Sequence, residues 1–250
     1  MRLVVLMAGD SAVFEVAGHK YPKNLVEIDG EPLVQRVIDG LEPVIEAASH
    51  AVFLLREEEA RRHHTDDVIR LLAPEAQVAG VPPLSSGAAC TALHAIGHID
   101  RDEPLLVFNG DQVLEADVAG IVAGFEADGL DGGVITFDAV HPRWSYVRKG
   151  ADGLVVEAAE KRPISRLATA GTYWFRRGGD FVDGVMAMVR KDASVDGAFY
   201  VCPVYNELIL RGLRIGSHHI ERDRYFSLAS LHGVNAYEEH LARRRRAALV

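Results

Sequence analysis

Arg2-Leu3-Val4-Val5-Leu6-Met7-Ala8-Gly9-Asp10-Ser11-Ala12-Val13-Phe14, followed by Pro22-Lys23-Asn24-Leu25, decides the fold. An apolar run of strand length gives way at Gly9 to small residues, and a Pro-Lys pair precedes the next amphipathic segment. This is the layout of a first strand feeding a phosphate-holding loop, in which backbone N–H groups approach phosphate oxygens and a lysine adds a mobile positive charge. An ordinary turn after a strand has the same local pattern, so the rest of the chain has to decide between them.

Working outward, Leu33, Val34, Val37, Ile38, Leu41, Val44 and Ile45 recur at helical spacing, which predicts a helix with one buried stripe. His50 to Leu55 reads as a second strand, Arg56 to Leu72 as one charged helix, and Gln77 to Val81 as a third strand. Pro82 to Gly87 is a loop. Ala88 to Ile96 suits a helix whose small residues let it sit close to a sheet or a ligand. Such alternation of strands and helices implies an α/β fold with a mostly parallel sheet covered on both faces.

Pro104 to Phe108 is a buried strand that stops at Asn109-Gly110-Asp111-Gln112. Ligands of open α/β sheets collect outside the carboxyl ends of the strands. Asp111 at that place either holds a hard cation such as Mg²⁺, or caps a helix starting near Glu115 or closes a turn. Val134 to Phe137, Ser145 to Arg148, Leu154 to Lys161 and Thr169 to Phe175 then read as strands, with Ala151-Asp152-Gly153 as a hairpin turn. Helices near Phe181 to Lys191 and Val204 to Arg211, and a strand from Arg214 to His219, complete a second half that extends the sheet with mixed strands. No linker rich in Pro, Gly or Ser separates the halves. One domain over 1–250 is expected, with lobes at 1–130 and 131–250.

The chain has 250 residues, of which 48% are hydrophobic and 25% charged, a globular composition. Its formal net charge of -9 argues against a general nucleic-acid or membrane-surface binder but leaves room for a local anion site. Cys90 and Cys202 are too few for a disulfide framework or a closed zinc site. A signal-peptide pattern is missing, and no apolar run approaches the ~20 residues that span a bilayer, so a soluble, cytoplasmic protein is expected. His63-His64 and the Arg243 to Arg246 run read as solvated surface, and the adjacent His218-His219 point to opposite faces of a strand.

Taken together, the blocks resemble the nucleotidyltransferases that activate sugar phosphates, in particular the branch found with capsule and other surface-polysaccharide genes. The resemblance is carried by Met7-Ala8-Gly9, Phe14, Ala17-Gly18, Pro22-Lys23, Leu25, Gly30-Glu31-Pro32, Gly87-Ala88-Ala89-Cys90 and Asn109-Gly110-Asp111-Gln112. It continues through Trp144-Ser145-Tyr146-Val147, Glu160-Lys161, Ala170-Gly171-Thr172-Tyr173 and Phe199 to Asn206. It implies a Rossmann-like nucleotidyltransferase (GT-A-like) fold with a mixed, mostly parallel sheet, helices on both faces and a smaller mixed-strand lobe. The reaction implied is NTP plus a sugar 1-phosphate, or a related small phosphate, giving the nucleotide-sugar and pyrophosphate, with Mg²⁺ as cofactor.

The same resemblance implies that Lys23 steadies phosphate charge and that Asp111 holds Mg²⁺. It puts Met7, Ala8, Gly9, Asp10, Ser11, Gly87, Ala88 and Gly110 on the nucleotide, Gly87 and Ala88 where a side chain would obstruct the base. Trp144, Ser145, Glu160, Lys161, Gly171 and Tyr200 fall to the acceptor. Read without the family, Trp144 and Tyr200 suit a core, Gly171 tight strand packing, and Glu160-Lys161 an exposed charged pair. The oligomeric state is left open, a homo-oligomer included.

Two stretches depart from the family pattern. The family's loop usually carries an arginine where Val13 stands, and valine has neither charge nor donor to meet a triphosphate. His232-Gly233-Val234-Asn235-Ala236 replaces the usual C-terminal segment, Ser230 falls at the second carboxylate of two-carboxylate relatives, and Asp223 is the nearest substitute in sequence. The alternative function is therefore a degenerate protein that binds a nucleotide or nucleotide-sugar without turnover. A glycosyltransferase is a third reading, disfavoured because Asn109-Gly110-Asp111 supplies only one carboxylate of an Asp-x-Asp-like pair.

Overall fold

A computed structural model describes residues 1–83 and 85–248, so Leu84 of the expected 82–87 loop lies outside the described residues. The chain opens with β1 (Arg2–Leu6), a short helix α1 (Ala12–Val16) and a 3-10 turn at Lys23–Leu25. A small hairpin, β2 (Glu27–Ile28) with β3 (Glu31–Pro32), leads into α2 (Leu33–Ala47). There follow β4 (His50–Arg56), α3 (Glu57–His63), α4 (Thr65–Leu72), β5 (Gln77–Val81) and α5 (Ala88–Leu93). After β6 (Leu105–Asn109) come β7 (Gln112–Leu114), α6 (Val118–Ala127), β8 (Gly132–Asp138), β9 (Ser145–Lys149), β10 (Val155–Glu160) and β11 (Leu167–Phe175). The remainder is α7 (Gly178–Arg190), α8 (Val204–Leu210), β12 (Ile215–His219), β13 (Tyr225–Ser227) and α9 (Leu231–Ala248).

A nine-stranded sheet runs β10-β9-β11-β6-β1-β4-β5, with β8 joined to β11 and β12 to β8. β1 pairs in parallel with β4 and β6, β4 does so with β5, and β11 lies antiparallel to β6. This is the mixed sheet with a parallel half that the sequence predicts, and the second-half strands extend it.

Because side chains alternate across a strand, the central strands feed two cores. Val4, Leu6, Val52, Leu54, Leu105 and Val107 pack on one face with Ala89 and Ala92 of α5 and residues of α7 and α8. Leu3, Val5, Met7, Phe53, Leu55, Leu106 and Phe108 pack on the other with Val34, Val37, Ile38 and Leu41 of α2. Strands buried on both faces need the unbroken apolar runs seen at Leu3–Leu6 and Leu105–Phe108.

Three local expectations change. The helix expected over 56–72 is broken at His64, whose φ of 55° interrupts the backbone so that α4 can turn Thr65 and Ile69 inward. The 88–96 helix ends at Leu93 and continues only as a 3-10 turn at Ile96–His98. Asp111 caps no helix: β7 follows it, and α6 is capped instead by Asp117, whose Oδ1 accepts the Gly120 N–H at 2.8 Å.

Candidate active site

Register sets the site before any side chain is considered. Leu6 pairs with both Leu54 and Asn109, and Arg56 pairs with Val81. Two residues beyond that first pairing, Ala8, Arg56 and Asp111 stand at one level on the face of the sheet that carries α5. They line a cavity of about 280 Å³ with Leu6, Gly9, Val81, Pro82, Pro83, Ser85, Gly87, Ala88, Thr91 and Asn109.

At its β6 end the Lys23 ammonium meets Asp111 Oδ2 at 2.8 Å. Lys23 is 3% exposed and Asp111 is partly open to solvent. Gly9 leaves room for this pair, since a Cβ on it would lie 2.6 Å from Lys23 Nζ. Ser11 Oγ accepts the Lys23 backbone N–H at 3.1 Å, which ties the first loop to the Pro22–Lys23 turn. Asn24, 1% exposed, donates to Met7 O at 3.0 Å and to Glu59 Oε1 at 2.9 Å. Burial of Glu59 pushes its carboxyl pKa up, and the Asn24 bond opposes that shift. Lys23 is thus held from both neighbouring segments.

Several expected nucleotide residues take other places. Met7 faces the opposite core because it is one residue out of phase with Leu6 and Ala8, and Gly110 packs on it, where a Cβ would meet Met7 Cγ at 2.4 Å. Neither lines the cavity. Asp10 is exposed and accepts the Ala12 N–H at 3.0 Å, while Ser11 works through Lys23. Gly87 lines the cavity, yet its lack of a side chain serves a second contact. With φ at 100°, a Cβ would lie 2.5 Å from Phe199 O, and Ser86 O and the Ala89 N–H bond the Phe199 backbone at 2.7 and 2.9 Å.

In the second half, Ser145 and Glu160 are paired residues of β9 and β10, and the Ser145 hydroxyl bonds the Glu160 carboxylate. Burial raises the Glu160 pKa; the Ser145 bond and the nearby Lys161 charge oppose it. Lys161, at φ 53°, lies 5.3 Å from the Tyr200 ring centroid and pairs with Asp196 at 3.1 Å. Trp144 packs edge-on against Phe137 and Tyr225, with Arg143 stacked at 4.4 Å. Glu160 lines a neighbouring cavity of about 450 Å³ with Arg162, Ser194 and Asn206, distinct from the one that holds Asp111.

Gly171 joins the two sides. Its φ is 55°, and a Cβ would lie 2.4 Å from Gln112 Oε1 and 2.6 Å from Asn109 Nδ2. Gln112 Nε2 donates to Gly171 O at 3.1 Å. The Tyr205-Asn206 end of the last sequence block is structural: Asn206 exchanges two 2.8 Å bonds with the Ala158 backbone, completing β10.

Among the described residues no group of three or more His, Cys, Asp or Glu is arranged for a metal. β13 pairs with β7, and the Leu228 N–H bonds Asp111 O at 2.7 Å, so an apolar residue stands beside Asp111. Ser230 takes the Gly233 N–H at the start of α9. Asp223 stands at the far end of the same ribbon, beyond Tyr225 opposite Leu114. Asp111 gives Oδ2 to the Lys23 ammonium and is partly open to solvent, which suits Mg²⁺ as an ion that binds through one or two carboxylates and takes further oxygens from substrate phosphates and water.

The sequence gives no role to Arg56 or Glu59, and Asn24 and Gln112 enter only as members of quoted blocks. Only Arg56 carried a usable signal: it is the last residue of a strand whose carboxyl end must face the site.

A cavity at the carboxyl ends of parallel strands, with a lysine–aspartate pair beside one end, stands where open α/β sheets bind their ligands. Residues 3–172 match the MobA-like NTP transferase domain, and the chain belongs to that family of nucleotidyltransferases. It is 27% identical over 186 residues to the UTP–glucose-1-phosphate uridylyltransferase AglF of Haloferax volcanii, covering 70% of this chain and 72% of that protein. The crystal structure of a nucleoside-diphosphate-sugar pyrophosphorylase from Vibrio cholerae RC9 superposes with a TM-score of 0.81 at 24% identity, covering 96% of this chain and 100% of that one. The resemblance read from the sequence and the expected fold are borne out.

Proposed function

We propose that the protein transfers a nucleoside monophosphate from an NTP to a sugar 1-phosphate or a related small phosphate, releasing pyrophosphate. The observation that carries this reading is the Lys23–Asp111 pair, held at 2.8 Å at the end of a cavity walled by Ala8, Gly9, Gly87 and Ala88. A phosphate oxygen of the acceptor attacks the α-phosphorus, the bond to the bridging oxygen breaks, and pyrophosphate departs in line. Such a reaction needs positioning and charge neutralisation rather than a covalent intermediate.

Lys23 neutralises charge near the reacting phosphorus, and the loop of Ala8 and Gly9 lies along base and ribose. Asp111 would hold Mg²⁺, which when bound neutralises phosphate charge. Glu160 accepts hydroxyl hydrogen bonds from the sugar, and Lys161 leaves Asp196 to meet the acceptor phosphate. The first lobe takes the nucleotide and the second the acceptor, in a cytoplasmic enzyme of surface-polysaccharide precursor supply.

A screen of each NTP with Mg²⁺ and a panel of phosphorylated acceptors tests this by pyrophosphate release. Turnover that falls by about 10²-fold or more in Lys23→Ala is expected; turnover with no pair, or undiminished in Lys23→Ala and Asp111→Ala, would sink the proposal.

One observation favours the second reading, a nucleotide binder without turnover: Val13 is 57% exposed and brings no charge to the loop. Its open position lets Val13→Arg be made without disturbing the core. If the missing cation merely slows an enzyme, this substitution raises the rate by about 10–10²-fold. Nucleotide binding with no turnover in either form would establish the binder.

A further inference from the structure

Arg56 is the cation of the nucleotide cavity to which neither the family pattern nor the sequence pattern gives a task. Its Nε donates to Ala8 O at 3.0 Å, and among the described residues it has no carboxylate partner. That bond fixes the guanidinium against the loop, and among the described residues its terminal N–H groups have no partner. Arginine carries donors only, in a rigid planar fork.

Its position within the cavity says which part of a nucleotide it meets. Asp111 follows β6, whereas Arg56 ends β4, two strands away across β1. Adjacent strands are spaced ~4.8 Å, so the two backbones stand about 10 Å apart. The Lys23–Asp111 pair occupies the phosphate end. Toward β5 the lining is Val81, Pro82, Pro83, Gly87 and Ala88 together with Ser85 and Thr91, whose hydroxyls bond each other at 2.7 Å, and among the described residues it holds no further cation. Small and apolar residues with no cation among them suit a planar ring better than a polyphosphate chain.

We infer that Arg56 selects the base: its fork donates to a ring carbonyl, so that the cavity takes nucleotides whose base carries an oxo group there (guanine, uracil or thymine) and discriminates against the amino bases adenine and cytosine. At the corresponding ring position an amino group presents N–H to N–H, and the guanidinium is left without an acceptor. A site built to hydrogen-bond one group rejects an analogue lacking it because its own polar atoms go unpaired. The inference rests on the nucleotide site of the proposed function but needs neither an acceptor nor turnover.

Titration calorimetry of the intact protein with GTP, UTP, dTTP, ATP and CTP, each with Mg²⁺, and with inorganic tripolyphosphate tests it. The best oxo-base nucleotide should bind at least about tenfold tighter than both ATP and CTP. Arg56→Met should bring that ratio within about twofold while leaving tripolyphosphate affinity unchanged. Arg56→Gln retains an N–H for Ala8 O, and serves as a second variant should Arg56→Met unfold; it should also lose the discrimination, because its amide can donate or accept.

Equal affinity for all five nucleotides in the unaltered protein would overturn the inference, as would binding of none. A loss of tripolyphosphate affinity matching that of the nucleotides would also overturn it, by making Arg56 a phosphate ligand. Base discrimination that depends on Arg56, found in a protein that releases no pyrophosphate with any acceptor, would uphold the inference while defeating the transfer reaction.

Discussion

At Gly9 the chain omits a side chain and Lys23 Nζ occupies the vacant volume, 2.6 Å from where a Cβ would stand. An ammonium at the end of a flexible stem yields more readily than backbone, so Gly9→Ala should fold normally while pushing Lys23 off Asp111. Melting within a few degrees of wild type, together with nucleotidyl transfer reduced about as much as in Lys23→Ala, is the expected pair of results. Full activity in Gly9→Ala would show that the 2.8 Å pairing is dispensable. Glu160 gives a pH prediction. Burial raises its pKa above the ordinary 4.5, so on acidification it takes up a proton earlier than a solvated glutamate does. Acceptor affinity should therefore fall on acidification at a higher pH than the usual carboxylate range. The acceptor's own phosphate also titrates, so the check is the difference between the KM–pH profiles of wild type and Glu160→Gln. In linkage terms the raised value makes this group's contribution to stability fall as pH rises from 4.5 through the folded pKa, and level off above it.

At the scale of elements, β11 is the hinge between the two halves of the site. Its C-terminal residues pair with β6 on one side and β8 on the other, its N-terminal residues with β8 and β9, and the register with β8 shifts between Thr169 and Tyr173. Gly171 makes that irregularity, at a positive φ and with Gln112 and Asn109 close against its Cα. Gly171→Ala combines an unfavourable backbone conformation with a clash, and should cost about 1–3 kcal/mol in chemical denaturation. It should also raise the acceptor KM more than the NTP KM, since Glu160 and Ser145 lie on the strands beyond it. An equal change in both constants would place Gly171 in the general scaffold.

The element level is also where sequence reading divides into what it can and cannot see. Leu3–Leu6, His50–Leu55 and Pro104–Phe108 were legible because strands buried on both faces need continuous apolar runs. β7 and β13 were not: each is three residues long, and they pair across 110 residues of sequence through no local pattern. Lys23 and Asp111 could be picked out because a lysine after a loop and an aspartate after a strand have a recognisable place. Asn24, Glu59 and Gln112 could not, because their roles arise from hydrogen bonds to segments distant in sequence. Gly87 was legible as a close-packing glycine, but that its neighbour is the Phe199 backbone required the fold.

For the whole molecule, a buried hydroxyl ties together two strands of the mixed half of the sheet. Tyr205 is fully buried, and its OH lies 2.6 Å from Gly133 O on β8 and 3.0 Å from Trp174 O on β11. Burial pushes its pKa well up, so it remains the protonated donor across the working pH range. Tyr205→Phe leaves those carbonyls short of a donor and should lower stability by about 1–3 kcal/mol, read as a shift in denaturation midpoint at unchanged m-value. The same architecture carries the functional account. Four parallel strand ends at one level give a cavity with Asp111, paired to Lys23, at its β6 end and Pro82 and Pro83 at its β5 end. That polarity matches a nucleotide laid with its phosphates toward β6. The central claim is that the α-phosphorus is attacked at the Lys23–Asp111 end, and following a label on the NTP α-phosphate tests it most directly. The account predicts that with a sugar 1-phosphate acceptor the label appears in a nucleotide-sugar while unlabelled pyrophosphate is released, and that Lys23→Ala suppresses both together. Label recovered only in free nucleotide, with nothing transferred to any phosphorylated acceptor, would contradict it.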